Sequence, residues 1–196
     1  MLYAISTGIL RPILSILLRV KVYNKERVPS QGSLIFASNH KHWLDPVMIG
    51  VFMPRKVFYM AKKELFKNKI AAFYFKKVGV FPVDRNKPEV STIKHALSIL
   101  KSGGALGIFP EGTRIKDRED ESQAKAGVAM FSIKGQSKIV PVFIDGEYKL
   151  WGPIKLHVGN PISVEEYYNQ KLKNQDYLEI SNMILEKIRK GFEEGE

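Results

Sequence analysis

Short apolar runs alternate with amphipathic stretches along most of the chain, and this alternation limits the folds that the chain can adopt. Seven runs have the composition of strands, at residues 20–23, 33–38, 56–60, 79–83, 105–109, 139–144 and 155–158. Helical periodicity is found at residues 46–53, 64–78, 88–101 and 124–134. Strands separated by helices predict one α/β domain with a mixed, mostly buried sheet of about seven strands flanked by helices.

The length of the chain agrees with a single domain. Its 196 residues, of which 44% are hydrophobic, are enough to bury a substantial core. The C-terminal stretch, residues 164–192, has the pattern of a charged amphipathic helix or helix pair. We expect it to have a structural role.

The first 20 residues are strongly apolar, but Arg11 and Pro12 interrupt them. A spanning helix needs about 20 largely uncharged residues, so this segment is too short and too interrupted to cross a bilayer. Leucine and isoleucine recur at helical spacing, at positions 10, 13, 14, 17 and 18. We predict an N-terminal amphipathic helix, residues 1–19, that lies at a membrane interface. The cations expected to face anionic headgroups are Arg11, Arg19, Lys21, Lys25 and Arg27. The alternative is an ordinary helix docked on the core.

The net charge of +11 indicates an anionic partner, which by charge alone could be nucleic acid, an anionic lipid surface or an acidic protein. The sequence has no arginine-rich run and no aromatic ribonucleoprotein motif. We therefore predict an anionic membrane surface as partner and no nucleic acid.

Cysteine is absent, which excludes disulfides, thiolate metal ligands and a cysteine nucleophile. The four histidines, at positions 40, 42, 95 and 157, do not have the spacing of a metal site. His40 and His42 could still bind a metal as a pair on a strand, which is the less favoured alternative. We predict no metal site and no bound cofactor.

His40 and Asp45 are the strongest candidates for chemistry. A carboxylate that holds one ring nitrogen of a histidine leaves the other nitrogen to accept a proton. Five positions on a continuous helix would separate the two side chains by roughly 140°, so they can meet only across a turn. The predicted strand at 33–38 and a helix beginning near Pro46 provide that turn. The alternative is that Asp45 caps the helix and His40 is simply packed.

Cationic side chains follow three further strands, where Lys62, Arg85 and Arg114 are found. Arginine at strand ends suits phosphate binding, because the guanidinium contacts phosphate oxygens through two N–H groups. The turn at 111–113 could add backbone amide donors. Each feature alone has a plain alternative, namely a surface ion pair, a turn or an exposed helix start. Together, at the strand ends of one α/β sheet, they predict a phosphate-binding crevice.

Four blocks in this order resemble the glycerolipid acyltransferases, most closely the 1-acylglycerol-3-phosphate acyltransferase branch, also called lysophosphatidate acyltransferases or PlsC-like enzymes. The blocks are Asn-His-x-x-x-x-Asp at 39–45, a glycine-led block ending in arginine at 79–85, Phe-Pro-Glu-Gly-Thr-Arg at 109–114, and a hydrophobic block at 139–142. The match covers roughly residues 20–161. It departs from the family at His42, where serine is frequent.

The resemblance implies a role for each catalytic and phosphate-binding candidate. His40 is expected to be the base and Asp45 its orienting partner. Arg85 and Arg114, with Lys62 as the weaker candidate, are expected to hold the phosphate of the acceptor.

For the rest of the site, the resemblance implies that Glu111, Gly112 and Thr113 form the acceptor site. Val140 and Pro141 are expected to line the acyl side. Residues 20–196 are then expected to form the acyltransferase domain.

The implied activity is transfer of a fatty acyl group from acyl carrier protein or coenzyme A to the sn-2 hydroxyl of lysophosphatidate, which forms phosphatidate in phospholipid biosynthesis. The thioester is a co-substrate and no cofactor is bound. The implied location is the cytoplasmic face of the cell membrane, peripheral or monotopic. Acylation of glycerol-3-phosphate or another lysophospholipid, or non-catalytic binding of anionic lipid, are the alternatives.

Overall fold

The protein is described from a computed structural model, which covers residues 1–84, 89–114 and 123–193, with side chains up to Arg189. Within these residues seven strands form one sheet. The strands are β1 (Lys21–Tyr23), β2 (Leu34–Ser38), β3 (Val57–Lys62), β4 (Val80–Val83), β5 (Ala105–Ile108), β6 (Lys138–Asp145) and β7 (Lys155–Val158). Their bounds agree with the seven predicted runs to within two residues at either end.

The sheet has the order β1-β7-β6-β2-β5-β3-β4. Neighbouring strands are parallel except for the antiparallel pair β6 and β7. Strand β2 lies at the centre and is buried along its whole length. In the register, Ala37 pairs with Ile108 of β5 on one side and with Pro141 of β6 on the other. The chain that leaves β2 therefore emerges between the carboxyl ends of β5 and β6.

Helices cover both faces of this sheet. They are α1 (Leu2–Leu17), α2 (Asp45–Phe52), α3 (Lys69–Val78), α4 (Val90–Lys101), α5 (Gly127–Gly135) and α6 (Asn174–Glu193). Helices α1 and α2 share one hydrophobic cluster with the sheet, and α4, α5 and α6 share the other. Helix α3 lies beside β4 and packs against α1. The predicted α/β class, with a mixed sheet between helices and a helix before it, is confirmed.

Two predicted helices are interrupted. The stretch predicted at 64–78 consists of a 3₁₀ turn, Lys63–Phe66, followed by α3. Asn68 separates them because its side chain accepts hydrogen bonds from the backbone N–H of Ile70 and Ala71, which caps the start of α3. The C-terminal stretch likewise contains a 3₁₀ turn, Glu165–Tyr167, before α6.

Helix α1 is docked on the domain. Leu10 and Leu14 pack against the first core cluster. The Tyr3 hydroxyl donates to the carbonyl oxygen of Gly50, and Arg11 donates from Nε and Nη2 to that of Val51. Arg11 therefore binds the C-terminal turn of α2, and the expectation that it faces lipid headgroups is wrong. No described helix combines the length and the apolar character that a membrane crossing requires.

Candidate active site

His40 and Asp45 meet across the turn between β2 and α2. Nδ1 of His40 lies 2.9 Å from Oδ2 of Asp45, and both side chains are buried. Among the described residues, none forms a hydrogen bond with Nε2 of His40. The ring is thus held through one nitrogen while the other is left for a substrate, which is the arrangement that a general base requires.

The carboxylate of Asp45 accepts hydrogen bonds through both of its oxygens. Oδ2 also accepts from the backbone N–H of Lys41 and of His42, each at 2.7 Å. Oδ1 accepts from the hydroxyl of Tyr148 at 2.6 Å. Together with the contact to His40, these make four contacts that fix the orientation of a carboxylate that is only 1% exposed. Asp45 is therefore positioned before any substrate arrives.

The side chain of Asp45 does not cap helix α2, which was the alternative interpretation. Helix α2 begins at Asp45 itself, with Leu44 in the N-cap position and Pro46 in the first turn. The N–H groups that the carboxylate binds belong to Lys41 and His42, which precede the helix. The side chain turns back over the loop, so its hydrogen bonds shape the 39–45 loop and hold His40.

Asn39 joins this loop to β6. Its side-chain amide donates to the carbonyl oxygen of Ile144 at 2.9 Å and accepts from the N–H of the same residue at 2.8 Å. The amide of Asn39 thus makes the pair of hydrogen bonds that a neighbouring strand would make. This contact locates the residue before His40 relative to the central sheet.

The first and third sequence blocks are in contact through aromatic stacking. The ring of Phe109, which follows β5, stacks on that of His40 with 4.1 Å between centroids and 22° between planes. Tyr59 of β3 lies behind Phe109, with 6.4 Å between their ring centroids. Stacking on one face and the Asp45 contact at one edge leave His40 little rotational freedom.

Tyr148 and His42 were missed by the sequence analysis as parts of one site. Their rings stack with 4.3 Å between centroids. Burial, followed by the neighbouring Asp45 carboxylate, raises the pKa of the Tyr148 hydroxyl well above its ordinary value, so Tyr148 remains a donor at any working pH. No motif marks Tyr148. The available signal is its position just past β6, which the sheet order places next to β2.

The Phe-Pro-Glu-Gly-Thr-Arg block forms a tight turn after β5. The N–H of Gly112 donates to the carbonyl oxygen of Phe109 at 2.9 Å, and Gly112 has φ of +70°, which favours glycine. A Cβ on Gly112 would lie 2.7 Å from Cδ of Lys125. The side chain of Lys125 therefore lies directly against this turn, and sequence analysis had not linked it to the site.

Glu111 points into the protein from this turn. It is buried, and its Oε2 has no hydrogen-bond partner among the described residues. Burial raises the pKa of Glu111, while its own N–H and the neighbouring Arg189 and His40 act on this pKa in the opposite direction. A buried carboxyl oxygen without a partner is costly, and it is available to bind a ligand group.

Two of the three predicted phosphate-binding residues, Lys62 and Arg114, are among the described residues. Lys62 ends β3 and is exposed, and Arg114 is exposed after the β5 turn. Arg85 lies outside the described residues. Next to it, Asp84 pairs with Lys63 at 2.5 Å. Arg114 and Lys62 are thus at the same edge of the sheet as His40, because β2, β3 and β5 are parallel.

The other predicted residues differ in their surroundings. Thr113 is exposed beside Arg114. Val140 belongs to the core cluster shared with α1 and α2. Pro141 is also buried and lies against Gly159. Since successive residues of a strand point to opposite faces, Val140 and Pro141 lie on opposite sides of the sheet.

A small cavity of about 240 Å³ opens beside Asp45. Its lining consists of Asn39, Lys41, His42, Asp45, Ile144, Gly146, Glu147 and Tyr148. It lies on the Tyr148 side of the carboxylate, and the 109–114 turn does not line it. Over the described part of the chain, no group of three or more histidine, aspartate or glutamate side chains could hold a metal ion.

The buried His40–Asp45 pair lies where β2 and its parallel neighbours end, and its geometry suits the removal of a proton from a substrate. The sequence as a whole identifies the class. The family model described as Acyltransferase matches residues 19–145. The chain belongs to the acyltransferase family, and the prediction of an enzyme of this class is confirmed.

Relatives with known names agree with this family. A 1-acyl-sn-glycerol-3-phosphate acyltransferase of Bacillus subtilis is 37% identical over 172 residues, which is 85% of each chain. An enzyme of the same name from Streptococcus pneumoniae is 32% identical over 170 residues, 83% of this chain and 62% of that protein. These two proteins agree with the resemblance found in the four sequence blocks.

The fold is shared with a solved structure. The crystal structure of the 1-acyl-sn-glycerophosphate acyltransferase PlsC from Thermotoga maritima superposes with a TM-score of 0.66 and 22% identity. The match covers 90% of this chain and 72% of the other. At this identity the comparison establishes the fold of the chain.

Proposed function

We propose that the protein transfers a fatty acyl group from an acyl thioester to the sn-2 hydroxyl of 1-acylglycerol-3-phosphate. The products are phosphatidate and a thiol. The names of the relatives from Bacillus subtilis and Streptococcus pneumoniae support this acceptor. The observation that carries the proposal is the His40–Asp45 pair, whose geometry leaves Nε2 of His40 to accept the hydroxyl proton.

In the proposed reaction, Nε2 of His40 takes the proton as the sn-2 oxygen attacks the thioester carbonyl. The new C–O bond forms, the C–S bond breaks, and the proton passes from His40 to the departing sulfur. Asp45 holds the ring in one orientation and stabilises its transient positive charge. General base catalysis of this kind contributes about 10²- to 10⁴-fold. Transfer is direct, since the chain has no cysteine and no Gly-x-Ser-x-Gly motif.

The acceptor is proposed to bind along the turn at 111–114. The unpaired, buried Oε2 of Glu111 supports a contact with a glycerol hydroxyl. Arg114 is proposed to bind the phosphate, with Lys62 and Arg85 as further cations. Gly112 and Thr113 are proposed to form the rim of this site, where the side chain of Lys125 adds positive charge.

The donor is proposed to be acyl carrier protein or coenzyme A carrying the fatty acid, because both present the same thioester. No bound cofactor takes part, and the product enters phospholipid biosynthesis. Val140 and Pro141 remain the proposed residues of the acyl side.

Residues 1–19 are proposed to contact the membrane, and residues 20–196 to form the acyltransferase domain. The outward side of α1 supports this division, since it carries the exposed isoleucines Ile5, Ile9, Ile13 and Ile16. The proposed location is the cytoplasmic face of the cell membrane, with peripheral or monotopic attachment.

The proposal is tested by thiol release from acyl carrier protein and coenzyme A thioesters, with lysophosphatidate, glycerol-3-phosphate and lysophosphatidylcholine as acceptors. We expect release that depends on lysophosphatidate and is lost in His40→Ala. Faster release with another acceptor would replace lysophosphatidate in the proposal. Absence of acceptor-dependent release with all three would favour a lipid-binding protein without catalysis.

A further inference from the structure

Helix α1 is apolar on the side that faces away from the domain. Ile5, Ile9, Ile13 and Ile16 follow each other at intervals of four, four and three, which places them in one stripe. All four are exposed, Ile9 to 57% and Ile16 to 60%. The opposite side of α1, with Leu10 and Leu14, is the one that packs on the core. The outward stripe is thus additional to the docking of the helix.

Helix α3 has a second exposed apolar stripe beside the first. Ile70 is 82% exposed, Phe73 is 61% exposed, and Tyr74 follows on the same side. The Tyr74 hydroxyl donates to Oγ of Ser6 in α1 at 3.2 Å, so the two helices are adjacent along these stripes. We name the exposed residues Ile5, Ile9, Ile13, Ile16, Ile70, Phe73 and Tyr74 the α1–α3 surface.

The segment that contains α3 is strongly basic. Residues 62–77 contain six lysines and a single glutamate. All six lysines are exposed, and Lys77 lies 5.5 Å from the ring centroid of Phe73. Helix α1, in contrast, has Arg11 as its single charged residue, and that side chain donates to Val51. Three of the six lysines, at 69, 76 and 77, belong to α3, and Lys63 is paired with Asp84. The charges that suit an anionic surface therefore come from α3 and the segment just before it.

The α1–α3 surface is connected to the candidate active site through one loop. The N–H of Trp151 donates to the carbonyl oxygen of Leu17 at the end of α1, at 2.8 Å. Trp151 is itself 57% exposed. Tyr148, three residues earlier, donates to Asp45. A bilayer on the α1–α3 surface would thus lie near the loop that contacts the His40–Asp45 pair.

We propose that α1 and α3 together dock on an anionic phospholipid bilayer, with α3 supplying both apolar contact and the selectivity for negative charge. A bilayer fits this surface because aliphatic and aromatic side chains enter the interface while the lysines around them contact phosphate groups. The inference rests on the proposed membrane contact of α1 and adds α3 to it. The test of this inference does not depend on acyl transfer, because membrane binding is measured without a thioester.

The experiment is vesicle flotation of the full chain, with phosphatidylcholine vesicles that contain or lack phosphatidylglycerol. The apolar variant is Ile70→Ser with Phe73→Ser, and the charge variant is Lys69→Gln with Lys76→Gln. The matched controls are Val90→Ser and Lys101→Gln on α4, which packs on the other face of the sheet. All six substitutions are at exposed positions, and circular dichroism melting verifies that each variant folds.

We expect the apolar variant to bind both kinds of vesicle roughly tenfold more weakly or worse. In the charge variant, the affinity for vesicles that contain phosphatidylglycerol should fall about fivefold per lysine at low salt. Its affinity for vesicles without phosphatidylglycerol should be unchanged. The controls should bind like the wild type. Wild-type binding by both α3 variants would overturn the inference, and so would a dimer that the α3 variants convert to monomer without a change in flotation.

A separate variant, Ile9→Ser with Ile13→Ser, tests α1 alone. Loss of binding in this variant and normal binding in the α3 variants would retain the contact of α1 and overturn the role of α3. Turnover of a dispersed, short-chain lysophosphatidate without vesicles, measured for every variant, reports on the proposed reaction independently. We expect that turnover to be unchanged, which distinguishes failure of membrane docking from failure of the proposed enzyme.

Discussion

The two loops that form the candidate site differ in how completely their polar groups are paired. In the 39–45 loop, both oxygens of Asp45 accept hydrogen bonds and the amide of Asn39 is bonded to β6. In the 109–114 turn, Glu111 keeps a buried oxygen without a partner among the described residues, and Arg114 is exposed. One loop is complete without substrate, while the other presents groups that a ligand could satisfy.

In the proposed reaction, this difference separates the loop that positions the base from the turn that binds the acceptor. The proposed base is already held in position and needs no rearrangement when the substrate arrives. Groups that are preorganised in this way lower the barrier of the chemical step. An incompletely paired turn gains hydrogen bonds on binding. Substitutions in the first loop should therefore act on kcat, and substitutions in the second on KM.

The largest effect is expected for His40→Ala. Loss of the base should lower kcat for thioester consumption by about 10²- to 10⁴-fold, with little change in KM. His95→Ala on α4 is the matched control, because His95 is exposed and outside the site. Turnover of His40→Ala within a factor of a few of the wild type would remove His40 from the role of base.

Asp45→Asn should be next in size, with a fall in kcat of about 10²- to 10³-fold. The NH₂ group of asparagine cannot accept the hydrogen bonds that Oδ1 or Oδ2 accepts, so the tautomer and orientation of His40 are no longer fixed. The melting temperature should also fall, because at least one donor loses its partner, at a cost of about 1–3 kcal/mol for each buried donor. Equal kcat in a variant that is merely less stable would limit Asp45 to a structural role.

Tyr148→Phe tests whether the second oxygen of Asp45 contributes to catalysis. Removal of the hydroxyl leaves Oδ1 unpaired while the ring stacking on His42 remains. We expect kcat to fall about tenfold with KM unchanged, as for a hydrogen bond to a charged group. Tyr167→Phe, a half-buried tyrosine near the C-terminal helix, is the control. Unaltered kcat would show that Asp45 needs only its contacts through Oδ2.

Arg114→Gln tests the less complete loop. Because Arg114 is exposed, loss of its charge should raise KM for lysophosphatidate by roughly fivefold and leave kcat nearly unchanged. Kinetics at two salt concentrations should show a weaker salt dependence in the variant. The opposite pattern, reduced kcat at constant KM, would contradict the division between the two loops.

The smallest effect is expected in the stability of Glu111→Gln as a function of pH. The pKa of Glu111 is raised by burial, so the folded protein binds this proton more tightly than the unfolded chain. The wild type should therefore lose stability as pH rises through and above the ordinary glutamate value of 4.5, and the variant should lose less. Melting temperatures measured across pH should differ by a few degrees. A constant difference would mean that Glu111 is not the group responsible.

The sequence predicts the sheet well because its strands are local features. Each is a short apolar run followed by a turn, and buried parallel strands have this composition wherever they occur. The pairing of His40 with Asp45 was also predictable, because it depends on six consecutive residues. Lys62 and Arg114 could be assigned to one edge of the sheet because each follows a predicted strand, and these two strands are parallel.

The remaining features depend on contacts between distant segments. Tyr148 reaches Asp45 because β6 lies next to β2, an order that no local pattern encodes. Arg11 turns toward α2 because the carbonyl oxygen of Val51 is within reach once α1 is docked. Asp45 does not cap α2 because four other groups bind its carboxylate, and one of them is the hydroxyl of the distant Tyr148. In each case a tertiary contact decides between options that are locally equivalent.

The side-chain amide of Asn39 forms the same pair of hydrogen bonds as a backbone peptide group, and deamidation of this side chain would break one of them. Its amide must donate to one atom of Ile144 and accept from another, and an aspartate of the same shape can do only the second. Conversion of this amide to an acid, as happens when proteins age, would place a negative charge against a carbonyl oxygen. The protein would then lose activity with His40 and Asp45 chemically intact, so an inactive preparation need not have a damaged dyad.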